Sequence, residues 1–312
     1  MSQSVNERYY SFNRFLKEKF GVKIRKVSVN AGFTCPNRDG KVGYGGCIYC
    51  YTPGFTPSNS NCRKPVGVQI EEAKSRLRKR GFKGKFLAYF QAFSNTYAPV
   101  EVLKKLYDEA LKDGDVVGLA IGTRPDCVPD EVLLLLQGYA KERHVWVEYG
   151  LQSACNQTLD YINRGHTYAQ FEDAVKRTQN RGIYICAHII LGLPGEDENR
   201  MYETVDRLSD LGIDGIKIHH LQVVKGTSLE EKYNEGHVKL LSVEDYVPLI
   251  CNILERLSPR IVIHRLMGDI RDELLIAPRW ALPKTEILAS INRELERRCS
   301  CQGSYFKKEE WS

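Results

Sequence analysis

Three cysteines in one loop have the residue type and the spacing to carry redox chemistry. Cys35, Cys47 and Cys50 stand at C-x11-C-x2-C in the segment CPNRDGKVGYGGCIYC. The Gly, Pro, Asn and Asp of this segment predict a loop that folds back on itself without a helix or a strand. Soft thiolates suit iron–sulfur clusters, and three of them can hold three irons of a four-iron, four-sulfur cluster. The sequence therefore indicates a cluster whose fourth iron has no protein ligand.

An iron without a protein ligand can bind a small molecule through an amine and a carboxylate. S-Adenosylmethionine (SAM) has both groups, and one electron from a reduced cluster can cleave its carbon–sulfur bond to give a 5′-deoxyadenosyl radical. Spacing alone leaves two other interpretations open. A zinc ion is one, although no second C-x2-C or H-x3-H pair is present in the sequence. A disulfide is the other, and the lack of a secretory signal disfavours it.

The loop also resembles a known signature. Tyr49 directly precedes the third cysteine, as in the C-x-aromatic-C end of the radical SAM motif, and is a candidate contact for the cofactor. Over nearly its full length the chain resembles the YtqA/YhcC family of radical SAM enzymes, whose Gram-positive members are also called MnmL. It is more distantly similar to the elongator catalytic subunit. The resemblance is carried by VSVNAGFTCPNRDG, YFQAFSNTYAPVE, GLAIGTRPDC, VWVEYGLQSACNQTLDYINRGHTY, CAHIILGLPGED, DGIKIHHLQVVKGTSLEEKY and HRLMGD.

The resemblance implies a reaction on the wobble uridine of tRNA. A 5-carboxymethylaminomethyl group, on uridine or 2-thiouridine, would become 5-aminomethyl. The implied cofactors are a [4Fe-4S] cluster and SAM. The implied partners are tRNA, an electron donor such as flavodoxin or ferredoxin, and a separate methyltransferase that acts afterwards. Two alternatives stay open: a radical SAM enzyme acting on a small metabolite or a protein, and a non-catalytic metal-binding RNA module.

Five further residues are candidates for binding SAM. Gln91 follows the strand FLAYF, where radical SAM enzymes hold the methionine amino group; otherwise it only caps the strand. Glu148 and Gln152 stand four apart on a predicted strand, so they share a face and can hydrogen-bond ribose hydroxyls or an amine. Arg164 can form a two-pronged contact with the SAM carboxylate, unless it is a surface ion-pair residue. The resemblance places Ile190 against adenine.

A second group of polar residues falls at strand ends or in otherwise apolar strands, and its members are candidates for substrate binding or catalysis. Burying such groups without partners is costly, so they either line a polar cavity or form a structural salt-bridge lattice. An arginine fork suits a substrate carboxylate, which favours Arg124 and Arg265. His219 and Asp269 complete the predicted catalytic set, and similar positions are held by Asp126, Lys217, His220 and His264.

These residues can meet only if several strands end at one place. Helical and strand patterns alternate from a helix at residues 8–20 and a strand in KIRKVSVN to a sixth strand, DGIKIHHLQVV. This alternation predicts parallel strands with crossover helices, whose functional groups gather at the carboxyl ends. Together with the resemblance, it predicts an α/β fold: a partial (β/α)6 radical SAM barrel over residues 1–229. A C-terminal α/β extension over residues 230–312 would cover the open side.

Composition sets wider limits. The chain has 312 residues, 42% of them hydrophobic and 27% charged, which is ordinary for a globular protein. No apolar run approaches the length of a membrane span, so we predict a cytoplasmic protein without a membrane partner. A net charge of +6 permits a nucleic-acid partner without requiring one. Cys299 and Cys301 form a C-x-C pair, which is either an exposed helix end or part of an accessory cluster site.

Overall fold

A computed structural model describes residues 7–51 and 62–306. Its strands are β1 (Ile24–Val29), β2 (Lys85–Phe90), β3 (Val116–Thr123), β4 (His144–Gln152), β5 (Tyr184–Leu191), β6 (Gly215–His220), β7 (Val223–Val224), β8 (Val262–Arg265) and β9 (Leu275–Ala277). Seven of these strands form one parallel sheet in the order β1-β2-β3-β4-β5-β6-β8, and β7 pairs with β9 in a small antiparallel sheet.

Helices precede, connect and follow these strands along the chain. They are α1 (Phe12–Phe20), α2 (Val66–Lys79), α3 (Val100–Leu111), α4 (Asp130–Ala140), α5 (Asn156–Tyr161), α6 (Tyr168–Thr178), α7 (Glu198–Asp210), α8 (Ser228–Asn234), α9 (Val243–Arg256) and α10 (Lys284–Arg297). The predicted α/β fold with a partial barrel is confirmed, but the sheet has seven strands rather than six. The additional strand, β8, comes from the segment IVIHRL and lies beside β6.

The two faces of the sheet differ because side chains alternate along each strand. In β1, Val27 and Val29 face outward and are buried in the main hydrophobic core with the crossover helices. Lys26 and Ser28 face the concave interior, where Ser28 lines a cavity. The sheet curls so far that Lys26 Nζ of the first strand lies 3.4 Å from Nδ1 of His264 in the last. A polar interior therefore sits inside an apolar outer layer.

The N-terminal helix closes the lower end of this interior. Phe12 and Leu16 of α1 are buried, and the Phe12 ring packs against Trp146 and His264 at centroid distances of 5.8 and 4.0 Å. The helix begins at residue 12 rather than at the predicted residue 8, because the Ser11 side chain caps it by accepting a hydrogen bond from Arg14 N. Water is thus excluded from one end of the barrel.

The C-terminal part of the chain adds two packed helices, α9 and α10, to the sheet. Residues after α10 return to the N-terminal segment: Gln302 N donates to the Arg8 carbonyl oxygen (2.8 Å), and Tyr10 N donates to Gln302 Oε1 (2.8 Å). The proposed division between residues 229 and 230 stays a prediction. Within the described ranges, none of the helices combines the length and the apolar character needed to cross a bilayer.

Candidate active site

The candidate residues lie around one cavity at the carboxyl end of the parallel sheet. It has a volume of about 580 Å³. Its lining includes every predicted site residue: Cys35, Cys47, Tyr49, Cys50, Gln91, Arg124, Glu148, Gln152, Arg164, Ile190, His219, Arg265 and Asp269. Parallel strands end on the same side of a sheet, which is why residues far apart in the sequence meet here. Residues 35–50, which carry the three cysteines, are called the cysteine loop below.

The cysteine loop takes its shape from its own backbone. Arg38 N donates to the Cys35 carbonyl oxygen (2.8 Å), and Cys50 N donates to the Cys47 carbonyl oxygen (2.9 Å). Gly46 has a φ of 82°, in the left-handed region that other residues rarely adopt. Two tight turns therefore bring the thiols to the cavity, as the Gly- and Asn-rich sequence predicts.

Residues 162–165, which follow α5, brace the cysteine loop from the far side. Asn37 Nδ2 donates to the Asn163 carbonyl oxygen (2.6 Å). Gly165 has a φ of 70°, and a methyl group on it would come within 2.9 Å of Val42 and 3.0 Å of Asn37. The positive φ and these two nearby side chains thus favour glycine at this position.

Arg164 contacts the central cysteine of the loop. Its Nη1 donates to Cys47 Sγ (3.5 Å), while Nε and Nη2 both donate to the Gly150 carbonyl oxygen. Burial by itself would raise the pKa of the Cys47 thiol, but the charge and hydrogen bond of Arg164 outweigh burial, so this pKa is lowered. Arg164 therefore stabilises the thiolate form that a metal requires. Its predicted contact with the SAM carboxylate stays a prediction.

Arg124 has a different environment from the one that its predicted role needs. Nε and Nη2 donate to the Asp126 carboxylate at 2.8 and 2.7 Å, and Nη1 donates to the Arg164 carbonyl oxygen at 2.7 Å. The side chain is only 3% exposed. Because most of its N–H groups are already engaged, this geometry argues against a contact between Arg124 and a substrate carboxylate. Arg124 instead fixes the backbone that carries Arg164.

Glu148 lies at the centre of a buried charge network rather than at a free cofactor surface. Its carboxylate accepts hydrogen bonds from Lys26 Nζ (2.5 Å), Lys217 Nζ (2.7 Å) and His188 Nε2 (2.8 Å), and His264 Nδ1 is 3.7 Å away. Burial would raise the pKa of Glu148, but the two lysines dominate and hold it well below its usual range. With both oxygens occupied, this geometry argues against a contact of Glu148 with the ribose hydroxyls or the amine of SAM.

Gln91 and Gln152 present polar groups at the ends of their strands. Gln91 Nε2 donates to Ser28 Oγ (3.1 Å), and the two residues after it, Ala92 and Phe93, have left-handed φ values of 71° and 64°. Gln152 also has a positive φ, 84°, at an irregularity in the pairing of β4 with β5. Strained backbone of this kind persists where the surrounding structure holds it, often at functional sites. Both glutamines line the cavity, as their predicted roles require.

The remaining predicted residues divide between the cavity and its rim. Arg265 is half-buried and lines the cavity, and no hydrogen bond or ion pair joins its guanidinium to another residue in the described ranges. Burial, and then the charge of Arg265, hold the pKa of His219 well below its usual range, so this imidazole is neutral. Asp269 is exposed and pairs with Lys284 (2.9 Å). Arg265 is thus the predicted catalytic cation that is available to a substrate.

Comparison with known proteins agrees with this geometry. The model of the Radical SAM superfamily matches residues 32–208, and the model of the Radical_SAM C-terminal domain matches residues 213–297. The chain belongs to the radical SAM superfamily. The first match contains the cysteine loop and the strands β2 to β5 that carry the candidate SAM contacts.

Individual relatives extend the similarity over the whole chain. The uncharacterized protein YtqA of Bacillus subtilis is 43% identical over 98% of this chain and 95% of its own length. Protein YhcC of Escherichia coli K12 is 36% identical over 94% of each chain. The tRNA uridine(34) acetyltransferase of Methanocaldococcus jannaschii is 27% identical over 59% of this chain and 34% of its own length. The predicted resemblance to YtqA and YhcC is confirmed.

Among solved structures, the archaeal Elp3 of Methanocaldococcus infernus shares the fold. It superimposes with a TM-score of 0.67 at 19% sequence identity, over 89% of this chain and 64% of the Elp3 chain. The superposition therefore covers most of the α/β fold described above.

As a radical SAM protein, the chain has a [4Fe-4S] cluster and SAM as its cofactors. The residues present fit these groups: Cys35, Cys47 and Cys50 carry free thiols beside one cavity, and Arg164 favours the thiolate of the second. Among the described residues, no three His, Cys, Asp or Glu side chains converge as the ligands of a single ion would.

Several residues of this radical SAM site were not predicted from the sequence. Lys26 was overlooked, although the alternation in KIRKVSVN places it opposite Val27, on the inner face. Arg38 was also overlooked; its Nη2 donates to the Cys50 carbonyl oxygen (2.6 Å) from within the cysteine loop. Cys299 and Cys301 are both exposed, as the simpler of the two interpretations expects.

Proposed function

We propose that this radical SAM enzyme converts 5-carboxymethylaminomethyl uridine, with or without 2-thiolation, to 5-aminomethyl uridine at the wobble position of tRNA. One support is the relationship to a tRNA uridine(34) acetyltransferase, which acts on the same nucleotide position. The observation that carries the proposal is the guanidinium of Arg265, which lies in the same cavity as the cysteine loop and has no hydrogen bond or ion pair to another described residue. A cavity cation without a partner suits a substrate that brings its own carboxylate.

The wall around Arg265 favours an anion. Lys217 is its partner in the pairing of β6 with β8, and Lys217 also lines the cavity while it donates to Tyr89 and Glu148. Glu148 compensates only part of the charge, because it is shared by two lysines. A carboxylate removed from water is tolerated where a charged, hydrogen-bonding partner receives it. Arg265, assisted by Lys217, would hold the substrate carboxylate there.

The chain's own residues supply binding and orientation for the reaction. When bound, the cluster and SAM supply a 5′-deoxyadenosyl radical that can abstract hydrogen from the carbon beside the amine nitrogen. Loss of one further electron from the resulting carbon radical to a one-electron acceptor of the flavodoxin or ferredoxin class would give an imine. Water would hydrolyse this imine, break the bond between the nitrogen and the carboxymethyl carbon, release glyoxylate and leave the aminomethyl group on the uridine. Arg265 fixes the carboxymethyl end, so the carbon to be attacked is held between the guanidinium and the cysteine loop. A flavodoxin or ferredoxin would deliver the electron, and a separate methyltransferase would complete the side chain.

Nucleoside mass spectrometry of tRNA from a deletion strain tests the reaction. Loss of 5-aminomethyl nucleosides with accumulation of 5-carboxymethylaminomethyl nucleosides is expected. An unchanged nucleoside profile would contradict the proposal and direct attention to a small metabolite or a protein as substrate.

Arg265→Lys tests the carboxylate contact in the purified enzyme. Turnover of carboxymethylaminomethyl-containing tRNA should fall by about 2 to 3 kcal/mol in transition-state stabilisation, while slow cleavage of SAM without substrate is retained. The matched control is Arg124→Lys: because Arg124 positions Arg164, this variant should lose iron content and SAM cleavage together. Full turnover in Arg265→Lys would remove Arg265 from the substrate site.

A further inference from the structure

A group of exposed cations lies at the other end of the sheet from the cysteine loop. These residues precede or begin β1, end α2, or connect α2 with β2. We call them the basic edge; its members are Lys23, Arg25, Arg76, Lys79, Arg80, Lys83 and Lys85.

The basic edge is continuous in space. Lys85 N donates to the Lys23 carbonyl oxygen (2.9 Å), so the connection into β2 lies against the start of β1. Helix α2 packs on β1 and ends beside this point, since the two run in opposite directions. Arg25 shares the outer face of β1 with Val27. Along α2, Arg76, Lys79 and Arg80 stand at positions i, i+3 and i+4 and therefore project from one face.

No acidic side chain among the described residues pairs with the basic edge. No hydrogen bond or ion pair joins the side chain of any of its members to another residue in the described part of the chain. Acids on the same and neighbouring segments pair with other cations: Asp113 with Lys74, Asp115 with Arg78 (3.0 Å) and Glu72 of α2 with Lys64 (2.5 Å). Glu18 of the neighbouring α1 pairs with Arg14 (2.8 Å). A strong positive potential therefore faces solvent.

Helix stability accounts for only part of this charge. Cations near the last turn of a helix interact favourably with its dipole, by roughly 0.3 to 1 kcal/mol each. This interaction explains the presence of Arg76, Lys79 and Arg80 at the end of α2. The helix dipole does not explain Lys23 or Arg25, which lie at the start of β1. Like charges held together without partners destabilise a protein, so a compensating ligand is expected.

The position of the basic edge relates it to the cavity. β1 has six residues and so spans about 20 Å, with the basic edge at one end and the cysteine loop after the other. It is also the first strand of the sheet, and α1 packs between it and β8. A long polyanion that runs over the surface from this end of the sheet to the other could contact the cations while one of its residues reaches the cavity.

We propose that the basic edge binds the sugar–phosphate backbone of the tRNA whose wobble uridine enters the cavity; this rests on the function proposed above. Phosphate contacts position a nucleic acid without reading its sequence. The basic edge therefore sets affinity and orientation, whereas the cavity selects the nucleoside. It contributes to neither the cluster nor the binding of SAM.

The test compares two triple variants with the same loss of charge. Arg25→Gln/Arg80→Gln/Lys83→Gln removes part of the basic edge. Binding of bulk tRNA is measured against salt concentration by fluorescence anisotropy, under anaerobic conditions. The slope of log affinity against log salt should become shallower by about 1 per lost phosphate contact, and affinity at low salt should fall by roughly 10-fold or more. Cleavage of SAM in the absence of RNA should stay at the wild-type rate.

The control variant is Lys141→Gln/Arg143→Gln/Arg260→Gln, whose residues are exposed just before β4 and β8, at the same end of the sheet but outside the segments that form the basic edge. Its affinity and salt slope should stay near those of the wild type. Equal losses in both triple variants would mean a general charge effect and overturn the docking surface. A wild-type slope in the basic-edge variant, with tRNA still bound, would overturn it and leave the proposed reaction intact. No binding of tRNA by the wild type would overturn both.

Discussion

Replacing Glu148 by glutamine should reveal how much of the barrel depends on its buried charge network. The variant keeps the size of the side chain and removes the negative charge. Lys217, whose side chain is 7% exposed, would then lose the carboxylate that it pairs with, and so would Lys26, whose side chain is 20% exposed. Breaking a buried ion pair by removing one member costs about 3 to 5 kcal/mol, because the remaining charge stays desolvated. Lys26 can partly reach water, so we expect the lower part of this range, about 3 kcal/mol.

Urea unfolding followed by circular dichroism measures this loss. Glu172→Gln on α6 is the matched control, because Glu172 pairs with Lys176 (2.8 Å) on the helix surface. Such exposed pairs contribute only about 0.3 to 0.5 kcal/mol. The double variant Glu148→Gln/Lys217→Met should regain at least about 1 kcal/mol, since one uncompensated charge is removed with its partner. A loss in Glu148→Gln no larger than that of the control would refute the assignment of Glu148 as the electrostatic centre of the barrel.

Three further predictions concern the cysteine loop, its brace and the buried histidines. Replacing any one of the three loop cysteines by alanine should abolish reductive SAM cleavage and lower iron content, whereas Cys301→Ala should retain both; wild-type cleavage in any loop variant would contradict the cluster assignment. Gly165→Ala should lower the free energy of unfolding by about 1 to 3 kcal/mol and loosen the cluster, because position 165 has a positive φ and lies close to Val42. The control is Gly138→Ala inside α4, where a methyl group has open space. In thermal unfolding this control should be neutral or stabilising by up to about 1 kcal/mol. Burial, and then the charge of Lys217, lower the pKa of His188 from 6.5 to about 4, so the unfolded state takes up a proton first as the pH falls. The contribution of His188 to stability is therefore complete above pH 6.5, and about 3 kcal/mol of it is lost between pH 6.5 and 4. Unfolding free energies measured at pH 8, 6 and 5 should decrease in that order. A flat profile would show that His188 is accessible to protons.

The sequence by itself determined the parts that depend on local pattern. The spacing of Cys35, Cys47 and Cys50 and the glycines between them specify a loop that presents three thiols, whatever surrounds it. The alternation of strands and helices specifies a parallel sheet, and the carboxyl-end rule then brings thirteen predicted residues to one cavity. These inferences hold because periodicity and turn chemistry act over a few neighbouring residues.

Tertiary structure decided which polar side chains remain available for chemistry. Glu148 and Arg124 looked equivalent to Arg265 as polar groups at strand ends, but partners distant in the chain occupy the first two. Lys26 and Lys217 reach Glu148 from 122 and 69 residues away, and the Arg164 carbonyl reaches Arg124 from 40 residues away.

The place of β8 in the main sheet was also decided by contacts between segments that are distant in the chain. A four-residue strand has too short a pattern to show which neighbour it will pair with, and only the curl of the sheet places it beside β6. Local sequence sets what a segment can form and which groups it carries. Whether a charged group is satisfied or free depends on contacts between distant segments, and those exist only after the chain has packed.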